Sequence, residues 1–310
     1  MKSKISLSLK GILYACITAI LWGVLAVALK VSLQDVSPVD ITWFRFTLAF
    51  LGLTGYYFWK KPGYLRIFRK PPLLLLLASI CLGVNYIGFI EGVHLTSPSI
   101  AQLFIQTGPV LLAVSGFIFF REKAIPRQIG GFLLVISGLF LFYREQGNFL
   151  MSDLKTYQTG IRWIFLAAIT WAVYAVLIKL LIQRYPPMQL NIVIFGLPAL
   201  LYLPFIKFSG FINLSFTDWL IMIFLGLNTL IAYGTLAMAI QYIEANKVSV
   251  ILILNPILTF GIMGLVSLAN VSWIAHEHYT LLSLFGAFIV LSGALLTVLK
   301  PFRKNNNGPG

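Results

Sequence analysis

The sequence predicts an all-α integral membrane protein with ten transmembrane helices in two inverted five-helix repeats. Composition, a series of long apolar segments and an internal duplication support this prediction. The chain is 59% hydrophobic and only 10% charged, whereas about a quarter of the residues in an ordinary soluble domain are charged. A soluble protein with so few charges could not cover its surface.

Ten apolar segments are each long enough to cross a hydrocarbon core about 30 Å thick. We expect α-helices, because a helix in lipid satisfies its own backbone hydrogen bonds. The segments lack the period-2 alternation that is typical of a membrane barrel. The predicted spans are 11–30, 40–59, 71–91, 98–120, 127–143, 160–183, 188–207, 217–240, 248–271 and 281–300.

The basic residues indicate how the chain is oriented. The net charge is +14, and placing the N-terminus in the cytoplasm puts 16 of the 23 Lys and Arg residues on that side and 5 on the other. Excess positive charge is typical of cytoplasmic loops. Both termini are therefore predicted to be cytoplasmic, in a multi-pass membrane protein. Because the charges are spread over many short loops, they do not indicate nucleic-acid binding.

The second half of the chain repeats the first. The segments 19–30 (AILWGVLAVALK) and 168–179 (AITWAVYAVLIK) are identical at seven of twelve positions, and LGVN at 82–85 recurs as LGLN at 225–228. The matching segments keep their order while their offsets drift, as expected after duplication and loop insertion. The predicted units are a first repeat at 11–145, a second repeat at 158–300 and a disordered cytoplasmic tail at 301–310.

An odd number of spans in each half has a geometric consequence. The second five-helix repeat must begin on the side of the membrane opposite to the first, so the repeats are inverted. Inverted repeats are typical of transporters that work by alternating access, with a substrate site near the midplane where the repeats meet. A duplication that only builds a stable bundle is the alternative.

Several motifs, taken in order, resemble the EamA-type exporters of the drug/metabolite transporter superfamily. They are LWG at 21–23, WFRF at 43–46, the segment 96–123 and TWAVY at 170–174. The resemblance implies a ten-helix bundle in a bacterial inner membrane. Its central cavity would accept amino acids or similar metabolites, often for export against a proton gradient. Two features depart from the pattern: Ile194 is the second-half partner of Arg45, and about eight extra residues near SLANVSWIAH precede Glu277.

Aromatic and amide side chains inside the spans are the candidate substrate-binding residues. A tryptophan near mid-membrane offers a flat apolar face and one N–H donor, although a role in helix packing is the alternative. An amide in hydrocarbon needs a partner on another helix or on a ligand. The candidates are Trp22, Trp171 and Tyr174 among the aromatic residues, and Asn85, Gln102, Gln106, Asn228 and Asn255 among the amides.

Prolines and charged residues within the spans supply further candidates. Pro109 and Pro256 each remove a helical hydrogen bond and are predicted to act as hinges or to shape a cavity. Arg45 is a candidate for attracting a substrate carboxylate, with snorkelling in a structural role as the alternative. Glu91 is a candidate proton carrier, against the alternative of an interfacial carboxylate. Glu277, like Glu122 in the first half, is expected to cap the helix that follows it.

These observations predict a secondary transporter that exports amino acids or related small metabolites by alternating access, with protons as the candidate coupling ion. The sequence contains no Walker motif, and no cofactor or metal is expected. The alternative substrate class is multidrug or cationic compounds, although no acidic residue is predicted at the midplane. An intramembrane enzyme would need a catalytic cluster, which the sequence lacks. The expected partners are a small molecule, the lipid bilayer and protons but no nucleic acid, and either a monomer or a homodimer is compatible.

Overall fold

The computed structural model describes residues 7–119, 126–149, 154–243 and 245–298, and these residues form α-helices and short 3₁₀ segments but no β-strand. The 3₁₀ segments are Pro62–Phe68 and Leu203–Phe205. The helices are α1 (Leu7–Ser32), α2 (Pro38–Lys60), α3 (Leu73–Leu95), α4 (Pro98–Phe104), α5 (Thr107–Phe119), α6 (Pro126–Phe149), α7 (Leu154–Leu181), α8 (Pro187–Tyr202), α9 (Ser209–Ile212), α10 (Phe216–Tyr242), α11 (Ala245–Leu252), α12 (Leu254–Leu268) and α13 (Leu281–Val298).

Serine–proline pairs begin two of the helices that carry candidate residues. The hydroxyl groups of Ser37 and Ser97 accept hydrogen bonds from first-turn N–H groups of α2 and α4, respectively. Pro38 and Pro98 follow them, and proline is well suited to the first helical position because no N–H partner is needed there. These local signals fix where α2 and α4 begin.

Seven helices in the described part of the chain are long and apolar enough to cross a membrane. All seven fall within predicted spans or extend them by a few residues. They are Leu7–Ser32, Leu73–Leu95, Pro126–Gln146, Leu154–Leu181, Pro187–Phe205, Phe216–Tyr242 and Val250–Leu268. The last of these runs from the end of α11 through α12, across the single residue between them. An all-helical membrane protein is therefore confirmed.

The other three predicted spans differ from these seven for separate reasons. The segment 40–59 forms α2, which is 23 residues long but contains Arg45 and several threonines and tyrosines that lower its mean hydropathy. The segment 98–120 is divided between α4 and α5, each too short to span by itself. The segment 281–300 forms α13, whose described part has 18 residues. The count of ten spans therefore stays a prediction.

A break interrupts the corresponding helix in each half, just before a proline. Pro109 is the third residue of α5, which follows α4 after two residues, and Pro256 is the third residue of α12, which follows α11 after one. Proline has no N–H to donate to the carbonyl four residues earlier. The breaks occur where each proline leaves a carbonyl without its helical donor.

Helices α6 and α13 pack backbone against backbone. A Cβ atom on Gly138 would lie 2.8 Å from the carbonyl oxygen of Gly286, and one on Gly131 would lie 2.8 Å from that of Gly293. As the residue number rises along α6 it falls along α13, so these equivalent helices are antiparallel. Small residues on one face allow this close approach.

Helices α2 and α8, the second predicted spans of the two halves, are also antiparallel. The N–H of Lys207, beyond the end of α8, donates to a carboxylate oxygen of Asp40 in the first turn of α2 over 2.9 Å. At the opposite ends, the side-chain amide of Gln189 donates to the carbonyl of Tyr64 over 3.1 Å. In addition, α1 packs on α10 and α3 packs on α7, so the first and third helices of each half contact those of the other.

Candidate functional site

The buried guanidinium of Arg45 lies where the two halves meet. Its side chain is only 2% exposed, so it does not snorkel to the end of the bundle. Nε donates a hydrogen bond to the Thr229 hydroxyl on α10 over 3.1 Å, and Cζ lies 4.5 Å from the ring centroid of Tyr86 on α3. No carboxylate among the described residues forms an ion pair with it. A buried charge without a counter-charge is costly and commonly marks a functional position in a membrane protein.

Aromatic rings from both halves form a connected group that reaches this guanidinium through Tyr86. The ring centroid of Tyr86 lies 6.2 Å from that of Tyr233, which in turn lies 5.6 Å from Trp22 and 6.0 Å from Phe195. Phe46 lies 4.4 Å from Tyr86. We call Arg45 and these five rings the aromatic cluster. Because its members come from α1, α2, α3, α8 and α10, any rearrangement of one half against the other alters it.

The two other aromatic candidates lie near this cluster, on α7. Tyr174 is buried in the same hydrophobic core as Tyr86 and Tyr233. Trp171 packs at the edge of that core, and a Cβ atom on Gly108 would lie 3.1 Å from its ring. Trp171 therefore packs against the start of α5, next to the helix break.

The paired asparagines join each half to the other. The Asn85 amide donates to the carbonyl of Ala167 on α7 over 2.9 Å, and the Asn228 amide donates to the carbonyl of Leu21 on α1 over 2.7 Å. In both cases the acceptor lies on the first helix of the opposite half. The oxygen Oδ1 of Asn228 is buried and has no hydrogen-bond partner among the described residues. The amide donors serve helix packing, and the predicted role in lining a cavity stays a prediction.

The amides of the broken helices are also buried. Gln102 donates to the backbone carbonyl of Trp22 over 3.2 Å, and Gln106 donates to the backbone carbonyl of Gln102 over 3.4 Å. Oδ1 of Asn255, one residue before Pro256, has no partner within the part of the chain that is described. Gln102 therefore links α4 directly to the helix that carries Trp22, and Asn255 retains an unused acceptor at the second break.

The two predicted carboxylate roles have different outcomes. Glu91 is half-buried on α3, and no hydrogen bond or ring contact within the described residues joins it to the aromatic cluster. The sequence analysis predicted that Glu277 caps the helix that follows it, and this prediction is wrong. Glu277 lies four residues before α13 and accepts a hydrogen bond from the N–H of Ser99 in α4 over 3.1 Å. The extra residues before it carry its carboxylate to the other half, and Glu122 lies outside the described residues.

Five members of the site were not among the candidates of the sequence analysis: Tyr86, Thr229, Tyr233, Phe46 and Phe195. Tyr86 and Thr229 directly follow the paired residues Asn85 and Asn228. This shared position after each asparagine is the signal that could have identified the first two. Tyr233 has no such signal, because an isolated tyrosine in an apolar helix is equally compatible with packing.

The chain is similar to known transporters over almost its whole length. The model of the "EamA-like transporter family" matches residues 9–144 and 158–299. An "Uncharacterized inner membrane transporter YhbE" of Escherichia coli strain K12 is 35% identical over 293 residues, covering 93% of this chain and 91% of that protein. An "Uncharacterized transporter" of Haemophilus influenzae is 30% identical over 294 residues, covering 94% and 95% of the two chains.

The fold is similar to one already solved. A crystal structure with 18% sequence identity matches 93% of this chain and 96% of its own, with a TM-score of 0.64. That identity supports the fold alone. The family match, by contrast, covers both halves of the sequence and agrees with the motifs that led to the predicted resemblance. The chain belongs to the EamA-like transporter family and is a membrane transporter.

Proposed function

We propose that this transporter is a secondary carrier that exports amino acids or related small metabolites across a bacterial inner membrane. The observation that carries the proposal is the Arg45 guanidinium, which is buried among aromatic rings from both halves without a carboxylate partner in the described part of the chain. A substrate carboxylate would supply the missing counter-charge. Arginine suits this role because its planar group can bind a carboxylate through two parallel N–H bonds.

The rings of the aromatic cluster fit the rest of such a substrate. Trp22, Tyr86 and Tyr233 offer flat apolar faces, and the two phenols add hydroxyl groups. A cationic drug, the alternative substrate class, would be repelled by the guanidinium and would need a carboxylate near it. The arrangement therefore favours a zwitterion or an anion over a cation.

Alternating access is supported by the way the halves pack. The antiparallel pairs α6–α13 and α2–α8 are what inverted repeats of five spans each require. In such a fold, the same structure in opposite orientation lets the two halves exchange conformations, so that the site opens to one side and then to the other. Hinges at the breaks before Pro109 and Pro256 would let α4 move separately from α5, and α11 separately from α12.

Proton coupling and orientation complete the proposal. Glu91 is the acidic candidate, because it is half-buried within α3 and could carry a proton between the two sides. The charge distribution supports cytoplasmic termini, and the name of the Escherichia coli relative supports an inner-membrane location. Transport driven by an ion gradient needs no catalytic residue, which agrees with a non-enzymatic role.

The decisive experiment measures flux in liposomes that contain the purified protein. Radiolabelled amino acids, their decarboxylated amine analogues and a lipophilic cationic dye are compared under an imposed pH gradient. We expect flux only for carboxylate-bearing solutes, and Arg45→Gln should reduce it by about tenfold or more, as expected for the loss of a charged hydrogen bond. Arg45→Lys keeps the charge but loses the planar fork, so an intermediate rate is expected.

The matched control is Arg69→Gln, which removes an exposed arginine beyond the 3₁₀ segment. Dye flux without amino-acid flux would favour the cationic alternative. Flux that survives Arg45→Gln, together with a lower unfolding temperature, would assign Arg45 a purely structural role.

A further inference from the structure

The loop between α12 and α13 covers one end of the bundle. It comprises residues 269–280, contains most of the extra residues that distinguish the second half from the first, and is called the lid here. Beneath it lies a cavity of about 240 Å³ whose lining is mixed and includes the polar residues Lys30, Thr96, Gln146 and Glu277. The orientation predicted from the basic residues places this end outside the cytoplasm.

The lid is held to the first half of the chain at separate points. Beyond the end of α1, the side-chain amide of Gln34 donates to the carbonyl of Trp273 over 2.7 Å. On α6, the amide of Gln146 donates to the carbonyl of His278 over 3.0 Å. Both bonds are made by flexible side chains to the lid backbone, so they can break without disturbing a helix.

Glu277 makes the contact that reaches α4. One of its carboxylate oxygens accepts the N–H of Ser99 over 3.1 Å, and the other accepts the hydroxyl of Tyr279. The Ser99 and Tyr279 hydroxyl oxygens lie 2.7 Å apart. Burial and the neighbouring carboxylate raise the pKa of Tyr279, so this phenol keeps its proton and donates it. Glu277, Tyr279 and Ser99 thus form a closed set of hydrogen bonds between the two halves.

The rim on which the lid rests is fixed by Lys30. Its ammonium group donates to the carbonyl oxygens of Val93, His94 and Thr96 over 3.0, 2.9 and 2.9 Å, respectively. All three protons are used, and they tie the end of α1 to the end of α3. The rim is therefore held together by hydrogen bonds that do not involve the lid.

We propose that the lid is a gate at this end of the transporter and that Glu277 is the latch that keeps it shut. The inference rests on the proposed transport function, since alternating access requires each end of the bundle to open. The carboxylate holds α4, the helix that carries Gln102 and leads to the break before Pro109. Opening breaks the bonds from Glu277 and Tyr279 to Ser99 and frees α4 to move with its own half.

The test measures how readily a thiol below the lid reacts with a reagent outside it. Ala101→Cys places a thiol at a fully buried position on α4, in a chain whose native cysteines, Cys16 and Cys81, are replaced by alanine. A membrane-impermeant thiol reagent is applied to intact cells and to inside-out vesicles. We expect Glu277→Gln to increase the labelling rate from the lid side by about tenfold, the effect of losing one charged hydrogen bond.

Two comparisons sharpen this result. Tyr279→Phe removes only the phenol hydroxyl, so a smaller increase is expected. The control Asp218→Asn changes a carboxylate that caps α10 through Ser215 and has no hydrogen bond to the lid among those described, and it should leave the rate unchanged. Labelling within twofold of the parent for both Glu277→Gln and Tyr279→Phe overturns the proposal, provided that both variants elute as monodisperse protein.

A crosslink gives an answer even if these variants fold poorly. Gln34→Cys with Trp273→Cys can be joined by a short reducible bifunctional reagent, which should block labelling of Ala101→Cys until the crosslink is reduced. Labelling that persists under the crosslink overturns the gate. The labelling assay needs no substrate, so it separates the gate from the proposed transport function. Faster labelling in Glu277→Gln without solute flux supports the gate and rejects the proposed substrates. Solute flux with an unaltered labelling rate supports the proposed substrates and rejects the gate.

Discussion

Arg45 on α2 donates a hydrogen bond from Nε to the hydroxyl of Thr229 on α10 over 3.1 Å, which joins the two halves of the transporter at a buried charge. Thr229 also donates to the carbonyl of Leu225 in its own helix. The Thr229 hydroxyl therefore accepts the hydrogen bond from Arg45 and is itself held in position by its bond to the backbone of α10. Removing it separates the structural role of Arg45 from its proposed role in binding.

Thr229→Val keeps the shape of the side chain but leaves Nε of Arg45 without its acceptor. Leaving a buried donor unpaired costs about 1–3 kcal/mol, so the unfolding temperature of the ligand-free protein should fall. A carboxylate-bearing substrate can then satisfy the guanidinium, and the stabilisation it produces should increase. Thermal unfolding with and without substrate measures both effects, and Thr42→Val, which loses only a bond within α2, is the control. Equal stabilisation by substrate in the variant and the parent would contradict the proposed anchor.

Gly131→Ala and Gly130→Ala test the contact between α6 and α13. A Cβ atom at Gly131 would lie 2.8 Å from the carbonyl oxygen of Gly293, whereas one at Gly130 would meet nothing within 4 Å. The first change should destabilise the protein by about 1–3 kcal/mol through overpacking, and the second should be neutral or slightly stabilising. Unfolding in detergent compares the two neighbours directly. Similar losses for both would indicate that the helices do not meet as described.

Pro109→Ala restores the N–H that α5 lacks and should favour a continuous helix across the break. We expect slower flux with unchanged or higher stability, because a straight helix removes the proposed hinge. Pro198→Ala is the matched control, since Pro198 lies within the uninterrupted helix α8. Transport rates of the two variants at equal protein density provide the measurement. A rate for Pro109→Ala equal to that of the parent would remove the hinge from the mechanism.

Glu91→Gln tests the proposed proton carrier. The amide cannot release a proton, so uptake driven by a pH gradient should be lost, while exchange of labelled for unlabelled substrate at equal pH should continue. Both fluxes are measured in the same liposomes, with Asp35→Asn, an exposed carboxylate after α1, as the control. If gradient-driven uptake survives in Glu91→Gln, another group carries the proton or another ion is coupled.

The sequence predicted the positions of the helices well because hydrophobic length is a strong signal. The span predicted at 71–91 corresponds to Leu73–Leu95, and the one at 217–240 corresponds to Phe216–Tyr242. The prolines also marked the two interrupted helices. The lengths of the interruptions were not predictable, because they depend on how neighbouring helices accommodate the carbonyls that each proline leaves without a donor.

The membership of the aromatic cluster could not be predicted in the same way. Helices such as α3 are apolar on all sides, so hydrophobic periodicity does not indicate which face meets another helix. Tyr86 and Tyr233 contact each other only because α3 and α10, more than 100 residues apart in sequence, meet beside Arg45. Likewise, the contact between Glu277 and Ser99 depends on the path of a loop whose sequence is about eight residues longer than the corresponding segment of the first half.

The contact between α6 and α13 limits which parts of the protein can move during transport. At Gly131, Gly138, Gly286 and Gly293 the two backbones touch with no side chain between them, so no change of rotamer can ease one past the other. We therefore expect α6 and α13 to move together as one rigid unit. In the proposed alternating-access cycle, we expect helices to shift where long or aromatic side chains form the contact, while α6 and α13 together provide the fixed reference for that movement.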